Sequence, residues 1–147
     1  MIRFECSTFN ELSPHQLYEI LHLRNEVFVV EQNCVFQDAD HKDQQAFHFM
    51  AFIDNDLAGY TRLLPKGLTY TEMSIGRVVT SPKYRKTGVG KELMKASIKK
   101  CYELFGEGPI KIGAQLYLKK FYESFGFEQI GEGYLEDGIP HIYMIKK

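Results

Sequence analysis

The spacing of hydrophobic and polar residues predicts strands that alternate with helices, and residues 75–105 show this most clearly. Residues 75–80 form an apolar, β-branched run, which predicts a buried strand. Ser81 and Pro82 end the run, because proline has no N–H to donate to a neighbouring strand. From residue 90 to residue 105 the apolar positions recur about every 3.6 residues, so this segment is predicted to be an amphipathic helix.

The same patterns predict further elements on both sides of this segment. Residues 2–7 alternate as a strand does, and Ser13 with Pro14 begins a helix that we expect to continue to about Phe28. Turn residues separate the other runs, which predict a helix over 115–125 and strands over 46–53, 57–64, 68–80, 110–114, 127–131 and 139–145. This order predicts one α+β domain over residues 1–147, with a mixed sheet of six to seven strands flanked by helices.

Composition narrows the class of protein. The chain has 147 residues, 44% of them hydrophobic, so it is long and apolar enough to fold around its own core. A formal net charge of −1 gives no general attraction to nucleic acid or to an anionic membrane. The three cysteines are far apart, and we see no leader and no membrane-spanning run. We therefore expect a cytoplasmic protein without nucleic-acid or membrane partners.

The turn between the predicted strand and helix has the features of an anion site. The first N–H groups of a helix lack internal partners, and the helix dipole makes that end positive. Gly88 and Gly90 let a ligand approach the backbone closely, and Arg85, Lys86 and Lys91 add positive charge. A ligand that carries phosphate groups fits this combination best.

Three glycine-loop patterns compete for this turn. The Walker pattern fails because Arg85 stands at its first glycine and Glu92 follows Gly90-Lys91, and the dinucleotide pattern fails because Leu93 stands at its third glycine. The third pattern, [RQ]-x-x-G-x-[GA] after a strand that ends near proline, is met in full by residues 85–90. This resembles motif A of the GNAT acetyltransferase superfamily, whose loop holds the diphosphate of acetyl-coenzyme A.

The resemblance extends beyond this loop. Residues 121–127 fit the Y-x-x-x-G-F pattern that follows a later strand in the superfamily, with Tyr122 as its tyrosine. Residues 23–43, 75–82 and 141–146 resemble the ElaA-like branch of GNAT proteins. One departure is that Ala114-Gln115 stands where many members carry asparagine, which leaves one contact to the cofactor arm in doubt.

The resemblance implies a mostly antiparallel GNAT-like sheet and an enzyme that transfers acetyl from acetyl-CoA to a primary amine of a small molecule or peptide. The amine attacks directly in a ternary complex, no metal takes part, and a homodimer is allowed. The implied cofactor-binding residues are Val78, Val79, Thr80, Arg85, Lys86, Thr87, Gly88, Val89, Gly90, Lys91, Gln115 and Tyr122.

Chemistry assigns roles to some of these residues. A strand N–H near Val79 is expected to meet the thioester oxygen, and Tyr122 is expected to give a proton to the leaving sulfur. The general base is open between water and five residues: Glu31, Asp38, His41, Glu72 and His141. We predict Glu72, because superfamily members often place a carboxylate just before the cofactor strand.

Other readings stay open at this point. Residues 31–45 are acidic, and we predict a solvated loop in preference to a metal site or an acidic lip for an amine. Arg24, Arg62 and Arg77 are candidates for substrate-anion contacts or for ordinary ion pairs, and a Cys34 nucleophile would need a held histidine. A non-catalytic acyl-CoA sensor is the alternative function.

Overall fold

The computed structural model describes residues 1–147 and contains seven strands. They are β1 (Arg3–Thr8), β2 (Phe47–Ile53), β3 (Asp56–Leu64), β4 (Ser74–Thr80), β5 (Ile110–Gln115), β6 (Glu128–Glu136) and β7 (Ile139–Lys146). The helices are α1 (Pro14–Arg24), which continues as a π-helical segment (Asn25–Glu31), then α2 (Val89–Phe105) and α3 (Lys119–Glu123). Short 3-10 turns lie at Phe9–Glu11, Asp43–Gln45, Pro82–Tyr84 and Leu116–Leu118.

The strands form two antiparallel sheets that touch along one edge. One sheet has the order β1-β2-β3-β4 and the other the order β5-β7-β6. A single parallel bridge, Met73 to Ile110, joins β4 to β5, and the Lys111 N–H donates to the Met73 carbonyl at 3.0 Å. After that bridge the two parallel strands are not paired, so a gap opens between their carboxyl ends. The predicted mixed α+β architecture with mostly antiparallel strands is confirmed.

A β-bulge interrupts β4 beside this gap. Tyr60 pairs with Val79 and Arg62 with Gly76, so β4 has one more residue than β3 over this interval. Arg77 takes up the extra residue with a φ of 48°, in the left-handed region that non-glycine residues seldom adopt. Bulges increase strand twist and redirect side chains, so this one turns the end of β4 away from regular pairing.

Helices cover both faces of the first sheet. The apolar face of α2, including Leu93, Met94 and Ile98, packs in an 18-residue core cluster with residues from both sheets. Gly59 on β3 allows this approach, because a Cβ there would lie 2.9 Å from Leu93 Cδ2. On the other face α1 contributes Ile20 to a second cluster with residues of β2, β3 and β4. No helix has the length and apolar character needed to cross a membrane.

Local signals located most element starts correctly, and three extents were wrong. One is the helix predicted over 115–125, because Gln115 ends β5 and only Lys119–Glu123 is α-helical. Ser13 caps α1 as predicted by accepting from the Gln16 N–H at 3.1 Å. Residues 68–73, predicted as strand, form turns and bends, so β4 begins only at Ser74. The strand predicted over 127–131 instead runs from Glu128 to Glu136, because β6 pairs with β7 through an irregularity between Ile130 and Tyr134.

The acidic loop is not the solvated segment that the sequence predicted. Its aspartates contact three arginines from α1, β3 and β4, forming an arginine–aspartate cluster of Arg24, Arg62, Arg77, Asp38, Asp40 and Asp43. The three arginines are therefore ion-pair partners, which settles the alternative that the sequence left open.

The contacts inside the cluster are short and mostly hydrogen-bonded. Arg24 has no exposed surface and donates to Asp38 at 2.8 Å and to Asp43 at 2.9 Å. Arg62 donates to both oxygens of Asp40 and to Asp43 at 2.7–2.8 Å. Arg77 Nε lies 2.8 Å from Asp38 Oδ1, but the pair is not aligned for a hydrogen bond. Burial raises the pKa values of Asp40 and Asp43, but the arginine contacts outweigh it and hold both below the usual range.

Candidate functional site

The gap between β4 and β5 is a cleft of about 650 Å³. The carboxyl halves of both strands form its two walls, and α3 with its preceding turn lines one end. The π-helical segment and residues 32–36 lie along another side, and the β6–β7 turn completes the lining. The cleft therefore collects residues from segments that are far apart in the chain.

The glycine turn presents unclaimed backbone donors at one end of the cleft. Gly88 is the N-cap of α2, with a φ of 85° and no side-chain cap, and the Glu92 N–H donates to its carbonyl at 3.2 Å. The preceding N–H groups of the helix, at Val89, Gly90 and Lys91, have no partner inside the helix. A Cβ built on Gly88 would meet no atom within 4 Å, so the turn is open to a ligand.

Arg85 lies at the cleft with its guanidinium held by a carboxylate. Two of its nitrogens donate to the two oxygens of Glu31 at 2.6 Å each, and one lies 3.5 Å from the Thr80 carbonyl oxygen. These hydrogen bonds lower the pKa of Glu31 and raise that of Arg85. Glu31, one of the candidate bases, is therefore committed to Arg85.

The strand register decides which backbone groups of β4 face the cleft. Val79 pairs with Tyr60, and the Ser81 N–H donates to a β3 carbonyl at 2.8 Å, so both residues turn their backbone groups toward β3. Because successive residues point these groups to opposite sides, Val78 and Thr80 direct theirs toward the cleft. Val79 itself turns its N–H toward β3, so the cleft-facing N–H groups nearest to the predicted position are those of Val78 and Thr80.

Tyr122 lies on α3 at the boundary between the cleft and the core. It is 5% exposed, and its ring contacts Phe121 and Phe127 edge-on at centroid distances of 5.2 and 6.1 Å. Burial raises its pKa well above the usual range, so the phenol keeps its proton at neutral pH. Tyr122 therefore places a protonated phenol in the lining of the cleft.

Gln115 ends β5 and reaches across the cleft. Its side-chain amide exchanges two hydrogen bonds with Gln32, at 3.1 and 3.2 Å, and Gln32 immediately follows the π-helical segment. The Cys34 thiol lies next to this contact and donates to the Asp137 carbonyl at 3.5 Å. Residues 32–34 are thus hydrogen-bonded both to the end of β5 and to the β6–β7 turn.

The structure gathers much of the predicted set at the cleft. The predicted cofactor-binding residues that line it are Val78, Val79, Thr80, Arg85, Gly90, Gln115 and Tyr122. The rest, Lys86, Thr87, Gly88, Val89 and Lys91, form the adjoining turn and the first turn of α2. The Val89 side chain is in the core, so only its backbone is available to a ligand.

The predicted base is not gathered there. Glu72 is half-buried in the turn before β4 and does not line the cleft, so its role stays a prediction that this geometry does not support. His41 is exposed outside the lining, and Asp38 belongs to the arginine–aspartate cluster.

One end of the cleft contains residues that sequence reasoning did not group together. We call Phe36, Glu136, Asp137 and His141 the acceptor end. In the sequence Glu136 and Asp137 are turn residues, and His141 is one of the five candidate bases. The one available signal was the similarity of residues 23–43 and 141–146 to the same branch, which suggests a shared site but not its geometry.

Comparison with known proteins agrees with this geometry. Residues 9–147 match the family described as the acetyltransferase (GNAT) domain. Protein ElaA of Escherichia coli is 40% identical over 149 residues, covering 100% of this chain and 97% of that protein. Its crystal structure superposes with a TM-score of 0.92 over the whole of both chains.

Two further structures are similar. An acyl-CoA N-acyltransferase from Pseudomonas aeruginosa is 38% identical, with a TM-score of 0.94 over 100% of both chains. A GNAT family acetyltransferase from Elizabethkingia anophelis, solved with acetyl-CoA bound, has a TM-score of 0.64 over 99% of this chain and 97% of its own. That protein is 15% identical, so its likeness concerns the fold alone.

Proposed function

The chain belongs to the GNAT acetyltransferase family, and from this premise we propose that it is a cytoplasmic, acetyl-CoA-dependent N-acetyltransferase. Its acceptor is a primary amine of a small molecule or peptide, which attacks the thioester directly in a ternary complex. The observation that carries the proposal is a single cleft with free helix N–H groups at one end and a neutral tyrosine in its wall.

The residues present fit the cosubstrate. The uncapped first turn of α2 and the open space over Gly88 suit a diphosphate, which needs backbone donors and close approach. Arg85 adds a fork of donors that matches phosphate oxygens once it is shared with Glu31. The unpaired cleft-facing edge of β4 suits the amide-containing arm of coenzyme A, which binds as an added strand would.

The same residues support acyl transfer. The Val78 N–H faces the cleft and would stabilise negative charge on the thioester oxygen. As the C–N bond forms and the C–S bond breaks, Tyr122 would donate its hydroxyl proton to the sulfur. The two groups act on different atoms of one thioester, which is the arrangement that direct transfer requires.

The test is free-thiol release from acetyl-CoA in the presence of a panel of primary amines. An N-acetyltransferase releases one thiol for each acetylated amine, identified by mass. If calorimetry shows acetyl-CoA binding but no amine gives thiol release, the protein is an acyl-CoA sensor instead. If acetyl-CoA does not bind, both functions are wrong.

A further inference from the structure

The acceptor end lies on the face of the second sheet that points away from the core. Gln115 on β5 pairs directly with His141 on β7, and directly opposed residues place their side chains on the same face. The next residue, Ile142, points to the other face and is buried in the core. Gln115 and His141 thus face the cleft together.

The negative side chains at the acceptor end are not matched by positive ones. Arg85 is paired with Glu31, and Arg77 contacts Asp38 and Asp40 of the arginine–aspartate cluster. Glu136 and Asp137 have no arginine or lysine partner, and the nearest basic atom to Glu136 is His141 Nε2, at 3.6 Å. The acceptor end is therefore acidic, with one histidine in it.

Hydrogen bonding fixes the chemistry of that histidine. Its Nδ1 lies 2.7 Å from the Ile139 carbonyl oxygen, which can only accept, so Nδ1 carries a hydrogen in both charge states. Nε2 is then the nitrogen that gains or loses a proton. The ring stacks on Tyr134 at a centroid distance of 5.6 Å, and the side chain is only 11% exposed, so its orientation is held.

Apart from Glu136 and Asp137, which lie exposed at the same end, the proton acceptors of the cleft are committed. Both oxygens of Glu31 bind Arg85, the buried Cys34 thiol donates to the Asp137 carbonyl, and the pKa of Tyr122 is raised by burial. His141 is left as the side chain with a free nitrogen and a carboxylate beside it to stabilise the cation.

We propose that His141 is the general base of the transfer and that Glu136 and Asp137 select a cationic alkylamine with no carboxylate of its own; this rests on the proposed function. The ammonium gives one proton to His141 Nε2, and its nitrogen then attacks the thioester carbon. It loses a second proton as the C–N bond forms, while the C–S bond breaks and the sulfur takes the Tyr122 proton. The second amine proton goes to the Tyr122 oxygen and restores its hydroxyl, and His141 gives the first proton to water, so the reaction releases one proton overall.

The first experiment does not depend on turnover. Long-range ¹H–¹⁵N spectra of the full ¹⁵N-labelled chain report the tautomer of His141, assigned by through-bond correlation to β7. We expect the Nδ1–H form, and a saturable shift of Nε2 on addition of 1,4-diaminobutane. The matched probe 4-aminobutanoate, which has the same chain but a carboxylate end, should give at least about tenfold weaker binding, which is ~1.4 kcal/mol. An Nε2–H tautomer, or equal response to both probes, overturns the proposal.

The second experiment uses thiol release from acetyl-CoA with 1,4-diaminobutane between pH 5 and 9. Imidazole ordinarily changes charge between pH 5 and 8, so kcat/KM should fall as the pH drops through that range. The titratable groups against the ring are Glu136 and Tyr134, and Asp137 lines the same cleft; of these only the two carboxylates add negative charge. His141→Gln should lower kcat about 100-fold and remove this acidic limb.

Two variants complete the test. Glu136→Gln should raise KM for the diamine more than it lowers kcat, and His15→Gln, an exposed histidine on α1, should leave both unchanged. An acidic limb that survives in His141→Gln refutes the base assignment. If the wild-type chain releases no thiol with any amine, the proposed function fails, and the NMR titration alone decides whether the acceptor end binds the diamine.

Discussion

The arginine–aspartate cluster and the cleft meet at Arg77 in the β4 bulge and use their polar groups in opposite ways. In the cluster each carboxylate contacts at least one guanidinium, so the chain supplies its own partners. In the cleft the first N–H groups of α2 have no acceptor inside the helix, and His141 Nε2 has only a carboxylate at 3.6 Å. Residue type alone therefore does not indicate a site. A site is indicated by polar groups that have no partner within the chain.

The largest effect is expected from breaking the cluster. Asp43→Asn removes the carboxylate charge that Arg24 and Arg62 both contact. Removing one member of a buried ion pair lowers the free energy of unfolding by about 3–5 kcal/mol. Urea unfolding followed by circular dichroism measures it. The control is Asp56→Asn, which removes an exposed partner of Lys83 and should cost far less, because solvent screens exposed ion pairs. Equal losses would show that burial of the cluster is unimportant.

The pH dependence of stability should show the same contrast. The pKa values of Asp40 and Asp43 are lowered on folding, so their contribution is complete above the unfolded carboxyl pKa of about 3.9 and declines as the pH falls below it. In Asp43→Asn part of that decline should be absent. An unchanged acid limb would mean that other carboxylates govern acid unfolding.

The next effect is expected at the glycine turn. Gly88→Asp puts a carboxylate where the diphosphate would lie, and acetyl-CoA binding by calorimetry should weaken more than about 100-fold, or ~2.7 kcal/mol. Gly106→Asp is a matched control, because Gly106 caps the other end of α2 with a similar φ of 88° and similar open space. The control carries at least as much backbone strain, because Gly106 has a ψ of 160° and Gly88 a ψ of 3°. Equal losses of affinity would therefore make the effect one of folding rather than of ligand contact.

Tyr122→Phe separates chemistry from packing in the cleft wall. It removes only the hydroxyl, so kcat should fall about 100-fold while acetyl-CoA affinity stays nearly constant. Tyr117→Phe removes an exposed hydroxyl from the same side of the cleft and should change neither. A parallel loss of affinity and kcat in Tyr122→Phe would assign the tyrosine to packing.

The comparison also explains what the sequence could predict. The strand, proline, glycine turn and helix over residues 75–105 are local, so propensity and periodicity locate them correctly. The Y-x-x-x-G-F pattern likewise identified Tyr122, which lines the cleft. These features depend on residues that are neighbours in the chain.

The side-chain pairs formed by residues 31 and 32 at the cleft depend on contacts between segments that are distant in the sequence. Glu31 and Arg85 are 54 positions apart, and Gln32 and Gln115 are 83 apart. No local pattern in residues 31–45 distinguishes an aspartate held by Arg62 from one in water. The same limit applies to His141, whose neighbours Glu136 and Ile139 looked like ordinary turn and strand residues.

The smallest expected effect tests whether Glu31 competes with the ligand for Arg85 or positions Arg85 for it. Its pair with Arg85 is short, but the two side chains are 41% and 38% exposed, and pairs of this kind contribute about 0.2–1 kcal/mol. If the diphosphate must share Arg85 with Glu31, Glu31→Gln should tighten acetyl-CoA binding by up to about fivefold, and the gain should shrink at high salt. Glu26→Gln, which removes the same charge from the same segment without a contact to Arg85, should change affinity less. Weaker binding in Glu31→Gln would instead show that Glu31 positions Arg85 for the ligand. This ion pair would then support the binding site, as the ion pairs of the cluster support the fold.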